Sequence, residues 1–224
     1  MKRPFIINFK NYAEVSGEKS IALAKTIQSV SKNHGIEIVL APPQPCLALV
    51  TQNVTLPVIC QHLDVGEFGQ TTGFFIAEMA KSYGAQGSLI NHSEHKLPAE
   101  TVANLVQILR RLDMISIVCA QTVEEVAMLA EFSPDFIAIE PPELIGSGKA
   151  VSKENPTIIT NSISAAEDHS RTTKVICGAG ITDKSDVAAA IDLGAEGILV
   201  SSGVIKAQSW YDKISDLVGP MSMG

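Results

Sequence analysis

The sequence predicts an α/β protein folded as a (β/α)8 barrel, and three observations carry that expectation. Short apolar runs alternate with longer amphipathic stretches from one end of the 224 residues to the other. Eight such runs can be counted. No break in composition and no linker-like segment separates them, so residues 1–224 are read as a single barrel domain.

The runs fall at residues 5–7, 37–41, 57–60, 87–90, 115–120, 136–139, 175–177 and 197–200. Each is continuous and rich in Val, Ile or Leu instead of alternating, which is the pattern of parallel strands covered on both faces. Helical periodicity occupies 18–33, 77–83, 101–112, 123–131 and 184–193. Thr122, followed three residues on by Glu125, has the form of a capping box, and Thr182 with Asp183 and Asp186 puts a cap and negative charge at a positive helix end. Gly35 and Gly194 stand at helix stop positions. Between the fifth and sixth runs there is room only for a short helix, so the barrel is a trimmed one. An open doubly wound sheet is the structural alternative, because closure depends on counting every run correctly.

Hydrophobic residues make up 46% of the chain and charged residues 18%, a balance that favours a packed core over disorder. A net charge of −7 argues against a broad face that grips nucleic acid, and an anionic substrate would need a local positive site. No segment approaches the apolar length that crosses a bilayer, and Met1-Lys2-Arg3-Pro4 leads into a strand without a cleavage pattern. A cytoplasmic protein with neither nucleic-acid nor membrane partners is expected. Cys46, Cys60, Cys119 and Cys177 are widely spaced, which indicates buried thiols and neither a zinc site nor a disulfide framework.

In a barrel of this kind the chemistry gathers where strands end. The first run ends in Asn8-Phe9-Lys10, and alternation sends Asn8 and Lys10 to one side, either into the mouth or, for Lys10, already out to solvent. The fourth ends in Asn91-His92-Ser93-Glu94-His95, where His92 is the first imidazole to reach the mouth and His95 sits one turn into the next segment; His62, after the third run, competes with it. The sixth ends in Glu140, followed by Pro141-Pro142 and then Ile145-Gly146-Ser147-Gly148, a segment stiff at one end and loose at the other. A lone carboxylate there reads as a general base under a mobile lid, or else as a structural ion-pair partner. The last two runs end in Gly178-Ala179-Gly180 and Ser201-Ser202-Gly203, small residues whose backbone N–H groups can approach an anion.

Asn8-Phe9-Lys10, Asn91-His92-Ser93-Glu94, Ile139-Glu140-Pro141 with its lid, Cys177-Gly178-Ala179-Gly180-Ile181 and Leu199-Val200-Ser201-Ser202-Gly203 occur in the order and spacing of triosephosphate isomerases. Over essentially its whole length the chain resembles the compact, archaeal-type branch of that family. The resemblance implies a TIM barrel of eight parallel strands with shortened helices, which interconverts dihydroxyacetone phosphate and D-glyceraldehyde 3-phosphate in glycolysis and gluconeogenesis by enediolate proton transfer. It implies Glu140 as base, a neutral His92 as electrophile and Lys10 as the charge that holds substrate, with loop closure excluding water. Asn8 would line the same pocket, Glu94 would support it from behind, and Ile145, Gly146, Gly180, Ser201 and Ser202 would hold the phosphate. No metal or organic cofactor is implied.

Two departures stand out: Asn91 replaces the family's usual Gly, and Pro142-Glu143 replaces a common Val-Trp in the lid. The second bears on how the lid closes. In the family the loop at 61–73 reaches a neighbouring subunit, which implies a homodimer or homotetramer; read alone, it is a flexible surface loop. Other readings are a different phosphate-binding barrel enzyme, such as an epimerase or lyase, and a non-catalytic sugar-phosphate sensor. The former usually needs metal-binding His and Asp residues at several strand ends, a set that is incomplete here, and the latter would not need a base.

Overall fold

The computed structural model describes residues 3–223, so the Met1-Lys2 start read above for a targeting pattern lies outside the described residues. Seven parallel strands form one sheet: β1 (Phe5–Asn8), β2 (Ile38–Ala41), β3 (Gly87–Ile90), β4 (Ile115–Ala120), β5 (Phe136–Ile139), β6 (Lys174–Cys177) and β7 (Ile198–Val200). Their order is β2-β1-β7-β6-β5-β4-β3.

The expectation of eight strands is corrected at the third apolar run. Residues 57–60 form isolated parallel bridges, Leu40 to Val58 on one side and Cys60 to Ser88 on the other, and not a continuous strand. Pro57 has no N–H to give to a ladder, which shortens an already brief run. The segment nevertheless lies between the two outermost strands. Ile59 N–H donates to the Leu40 carbonyl at 2.8 Å, and Leu89 N–H to that of Cys60 at 2.9 Å. The sheet is thereby nearly closed into a barrel, which corrects the open-sheet alternative.

Among the described residues ten α-helices lie round the outside: α1 (Lys19–His34), α2 (Leu47–Thr51), α3 (Ala77–Ser82), α4 (Ala99–Arg111), α5 (Val123–Ala130), α6 (Val151–Glu154), α7 (Pro156–His169), α8 (Lys184–Asp192), α9 (Ser202–Ile205) and α10 (Trp210–Val218). Thr122 caps α5, its hydroxyl accepting from the Glu125 N–H at 3.2 Å. The Glu125 carboxylate reaches one residue further than a capping box requires and accepts from Gln121 N–H at 2.7 Å. At α8 the cap is Asp183, not Thr182: Asp183 accepts from the amides of Ser185 and Asp186, and Asp186 accepts in return from Asp183 and Thr182. Among the described residues no helix is long and apolar enough to cross a membrane.

Strand alternation divides the core in two. Phe5, Ile7, Ile38, Leu40, Ile90, Val118, Ile137, Ile139, Val175 and Cys177 face outward and pack with the helices. Ile6, Val39, Ile59, Leu89, Ile117, Cys119, Phe136, Ala138, Ile176 and Leu199 fill the barrel interior. Every one of these side chains is buried, so both faces of the strands are apolar, as their continuous sequence required. All four cysteines are buried and free.

Candidate active site

The same alternation builds the mouth. Two residues beyond the interior Ile6, Ala138, Ile176 and Leu199 come Asn8, Glu140, Gly178 and Ser201, and all four line one cavity of about 230 Å³. Lys10, His92, Ile145, Gly146, Gly180 and Ser202 line it too. Every residue to which the resemblance gave a role, except Glu94, therefore meets in a single space, and Glu94 stands behind it against Lys10 and His92.

Glu140 is buried, and burial drives its pKa up to about 7, against smaller opposing effects of the Cys119 thiol, which hydrogen-bonds it, and of Lys10. The carboxylate thus gains and loses its proton near neutrality, as a base should. Its Oε2 has no hydrogen-bond partner among the described residues, which is unusual for a buried oxygen and typical of one kept for a reaction. The room it occupies is made by Gly178: a Cβ at that position would lie 2.5 Å from Glu140 Cγ and 2.9 Å from Cδ.

His92 stands opposite, with Nε2 3.6 Å from Glu140 Oε2. Nδ1 accepts a hydrogen bond from the Glu94 N–H at 3.1 Å, so the ring proton is on Nε2, which faces the cavity. Burial first, and then the Lys10 charge, lower the pKa of the imidazole to about 4, so it is neutral and a donor at ordinary pH. Its direction comes from Asn91, whose φ of 62° breaks the strand alternation after Leu89-Ile90. Left-handed backbone explains why Gly suits this position, and Asn is the side chain that best tolerates it. Asn91 also spans the turn: its amide donates to the Cys119 carbonyl at 3.0 Å and its oxygen accepts from Leu97 N–H at 3.0 Å.

Lys10 has likewise left the strand, at φ 47°, but it has not gone to solvent. Asn8 Oδ1 accepts from its N–H at 2.9 Å and Gln61 donates to its carbonyl at 3.2 Å, which fixes the backbone. Its ammonium is 2.7 Å from Glu94 Oε1 with the side chain only 14% exposed, so one turn holds both the cation and the imidazole. His62 does not compete: it stacks on His95 with ring centroids 3.9 Å apart, outside this cavity. His95 is in a tight turn just beyond the strand, its N–H donating to the His92 carbonyl at 2.7 Å.

The opposite wall is backbone. Ser201 precedes α9, whose first amides have no intrahelical acceptor and can donate to an anion. Ser201 Oγ is buried, with no hydrogen-bond partner among the described residues. Gly180, at φ 70°, passes so close to the end of the lid that a Cβ would meet the Lys149 carbonyl oxygen at 1.8 Å. The lid is a string of tight turns, Leu144 N–H to Pro141, Ile145 N–H to Pro142 and Ser147 N–H to Leu144, and its far end is joined to the cradle by Val151 N–H to the Ala179 carbonyl at 3.2 Å.

Sequence reasoning had no role for Gly178 beyond the anion cradle, nor any for Cys119, Tyr12 or Lys206. Tyr12 and Lys206 line the cavity, and a residue four positions beyond Asn8 or just past α9 carries no local signal of that.

A base and a neutral donor facing each other beside a cation and an amide cradle can take a proton next to a carbonyl and stabilise the charge that forms on oxygen. A sequence model described as triosephosphate isomerase matches residues 4–217. The triosephosphate isomerase of Methanothermus fervidus is 45% identical over 99% of this chain and 100% of its own length. That of Cenarchaeum symbiosum is 46% identical over 97% of both chains, and that of Methanothermobacter thermautotrophicus 42% identical over 95% of this chain and 93% of its own. With the barrel mouth arranged as described and likeness of this extent along nearly the whole chain, the protein belongs to the triosephosphate isomerase family.

Proposed function

We propose that the protein interconverts dihydroxyacetone phosphate and D-glyceraldehyde 3-phosphate, with Glu140 as the base, His92 as the donor to the substrate oxygen and Lys10 as the charge that holds the substrate. The observation that carries this reading is the pairing across one cavity of a carboxylate whose pKa is raised to about 7 with an imidazole whose pKa is lowered to about 4. Environments that push two titratable groups toward each other's ordinary range give one the role of base and the other that of neutral donor.

Glu140 removes a proton from the carbon beside the carbonyl. Negative charge then builds on oxygen, where the His92 Nε2–H and the Lys10 ammonium stabilise it; that oxygen takes up a proton as the neighbouring hydroxyl gives one up, and Glu140 returns the carbon-derived proton to the neighbouring carbon. Asn8 fixes the Lys10 backbone and Glu94 fixes both Lys10 and His92. The amides around Gly180, Ser201 and Ser202, with Ile145 and Gly146 of the lid, hold the phosphate. The lid retains the enediolate until its proton is restored, which prevents loss of phosphate to water.

Residues 1–224 act as one barrel domain in this reading, working in the cytoplasm in glycolysis and gluconeogenesis. Self-association is supported by the loop after residue 60, which exposes Phe68 at 68% and Phe74 at 50%. Apolar rings this open are typical of a surface covered by another chain. A coupled assay with glyceraldehyde 3-phosphate in the presence of chelator tests the function. Turnover to dihydroxyacetone phosphate is expected. Binding without turnover would favour a sensor, and turnover only of a larger sugar phosphate would favour an epimerase or lyase.

A further inference from the structure

We infer that Lys206 is a second cation of the substrate site, aimed at the phosphate end by the ring of Tyr12. The inference deepens the proposed function and rests on its triose phosphate substrate. Lys206 immediately follows α9, and both it and Tyr12 line the cavity that Ser201 and Ser202 line. Its ammonium lies 5.0 Å from the centroid of the Tyr12 ring, within the range in which an aromatic face attracts and orients a cation.

Charge balance gives this lysine its task. Lys10 is neutralised by Glu94 at 2.7 Å, and Glu140 adds a negative charge whenever it is ready to act as base. Without another cation, a phosphate dianion would enter a site that is neutral to negative, on a chain of net charge −7. Lys206 is the other lysine of the cavity, and among the described residues it makes no ion pair within 4.0 Å of a carboxylate. Glu14, its acidic neighbour along an outer groove, is not in ion-pair range. Ser201, which lines the same cavity, keeps a buried Oγ with no hydrogen-bond partner among the described residues, so a cation and an unused hydroxyl both adjoin the wall where the phosphate is expected.

Three measurements test the inference on the full-length protein and its Lys206→Met and Lys206→Arg variants. The first is calorimetric affinity for inorganic phosphate, the second the KM for glyceraldehyde 3-phosphate separately from kcat, and the third the ionic-strength dependence of kcat/KM. Lys206→Met is expected to weaken phosphate affinity about tenfold, to raise KM by a similar factor with a much smaller effect on kcat, and to flatten the salt dependence. Lys206→Arg is expected to recover most of each loss, and Tyr12→Leu to reproduce part of it. Equal phosphate affinity in wild type and Lys206→Met, no phosphate binding by the wild type, or equal losses in the Met and Arg variants would each overturn the assignment. Phosphate binding is read without turnover: a wild type that binds phosphate through Lys206 yet isomerises nothing would refute the proposed function and leave the inference standing.

Discussion

Substituting Gly178 by Ala displaces the proposed base, Glu140, without replacing any group that would react. The added Cβ would stand 2.5 Å from Glu140 Cγ, 2.9 Å from Cδ and 3.1 Å from Oε1. Carbon atoms in contact prefer about 3.5–4.0 Å, so the carboxylate must retreat by about 1 Å. Glu140 is only 4% exposed, so it cannot swing out to water and must move within the barrel mouth, away from its present distance of 3.6 Å to His92 Nε2. A displacement of that size at a reacting group costs on the order of a hundredfold in rate, or about 2.7 kcal/mol in the barrier. Steady-state kinetics with glyceraldehyde 3-phosphate should show this loss in kcat, with KM changing far less because Lys10 and the amides around Gly180, Ser201 and Ser202 keep their places. Thermal unfolding should show a folded variant. A folded Gly178→Ala protein with kcat within about twofold of wild type would refute the idea that this glycine sets the position of the base.

Glu140→Gln should lower kcat by about a thousandfold or more while binding of a substrate analogue survives, which calorimetry can check. The same variant has a stability signature. The folded-state pKa of Glu140 is raised to about 7, so the stability it contributes is fully present below its ordinary value of 4.5 and is lost as pH rises through about 7. Relative to wild type, Glu140→Gln should therefore gain thermal stability at pH 8 compared with pH 4, and an offset independent of pH would count against the buried carboxylate as its source. For the wild type, kcat/KM should fall about tenfold per pH unit below about 7 as Glu140 takes up its proton. Lys10→Met should abolish measurable substrate binding, and an unchanged KM would contradict its role. Deleting residues 145–148 should increase inorganic phosphate released per isomer formed, measured by phosphate detection alongside the coupled assay; an unaltered ratio would show that the lid does not protect the intermediate.

The strands were legible because a parallel barrel buries both of their faces, which leaves an uninterrupted apolar run as the signature. Residues 57–60 have that signature but form only bridges, since strand continuity also depends on backbone donors and Pro57 removes one. Helix α7 was not among the helices read from the sequence. At the site, Asn8 and Glu140 could be found because each interrupts an apolar run at a place where only the mouth can receive it. His92 could be named, but its choice over His62 depended on the resemblance: the two imidazoles look alike in sequence, and only the left-handed Asn91 and the stacking of His62 on His95 separate them in space. Tyr12 and Lys206 reach the cavity through closure of the whole barrel, which no short stretch of sequence encodes.

The near-contact of Gly180 with the Lys149 carbonyl has a mechanical meaning. The downstream end of the lid rests directly on the loop proposed to receive the anion, with no side chain between them. A ligand that draws that loop inward would drag the flap with it, and bulk at position 180 would prop it open. Substrate capture and flap movement would then be linked through peptide backbone alone, and any side chain at position 180 would part the two.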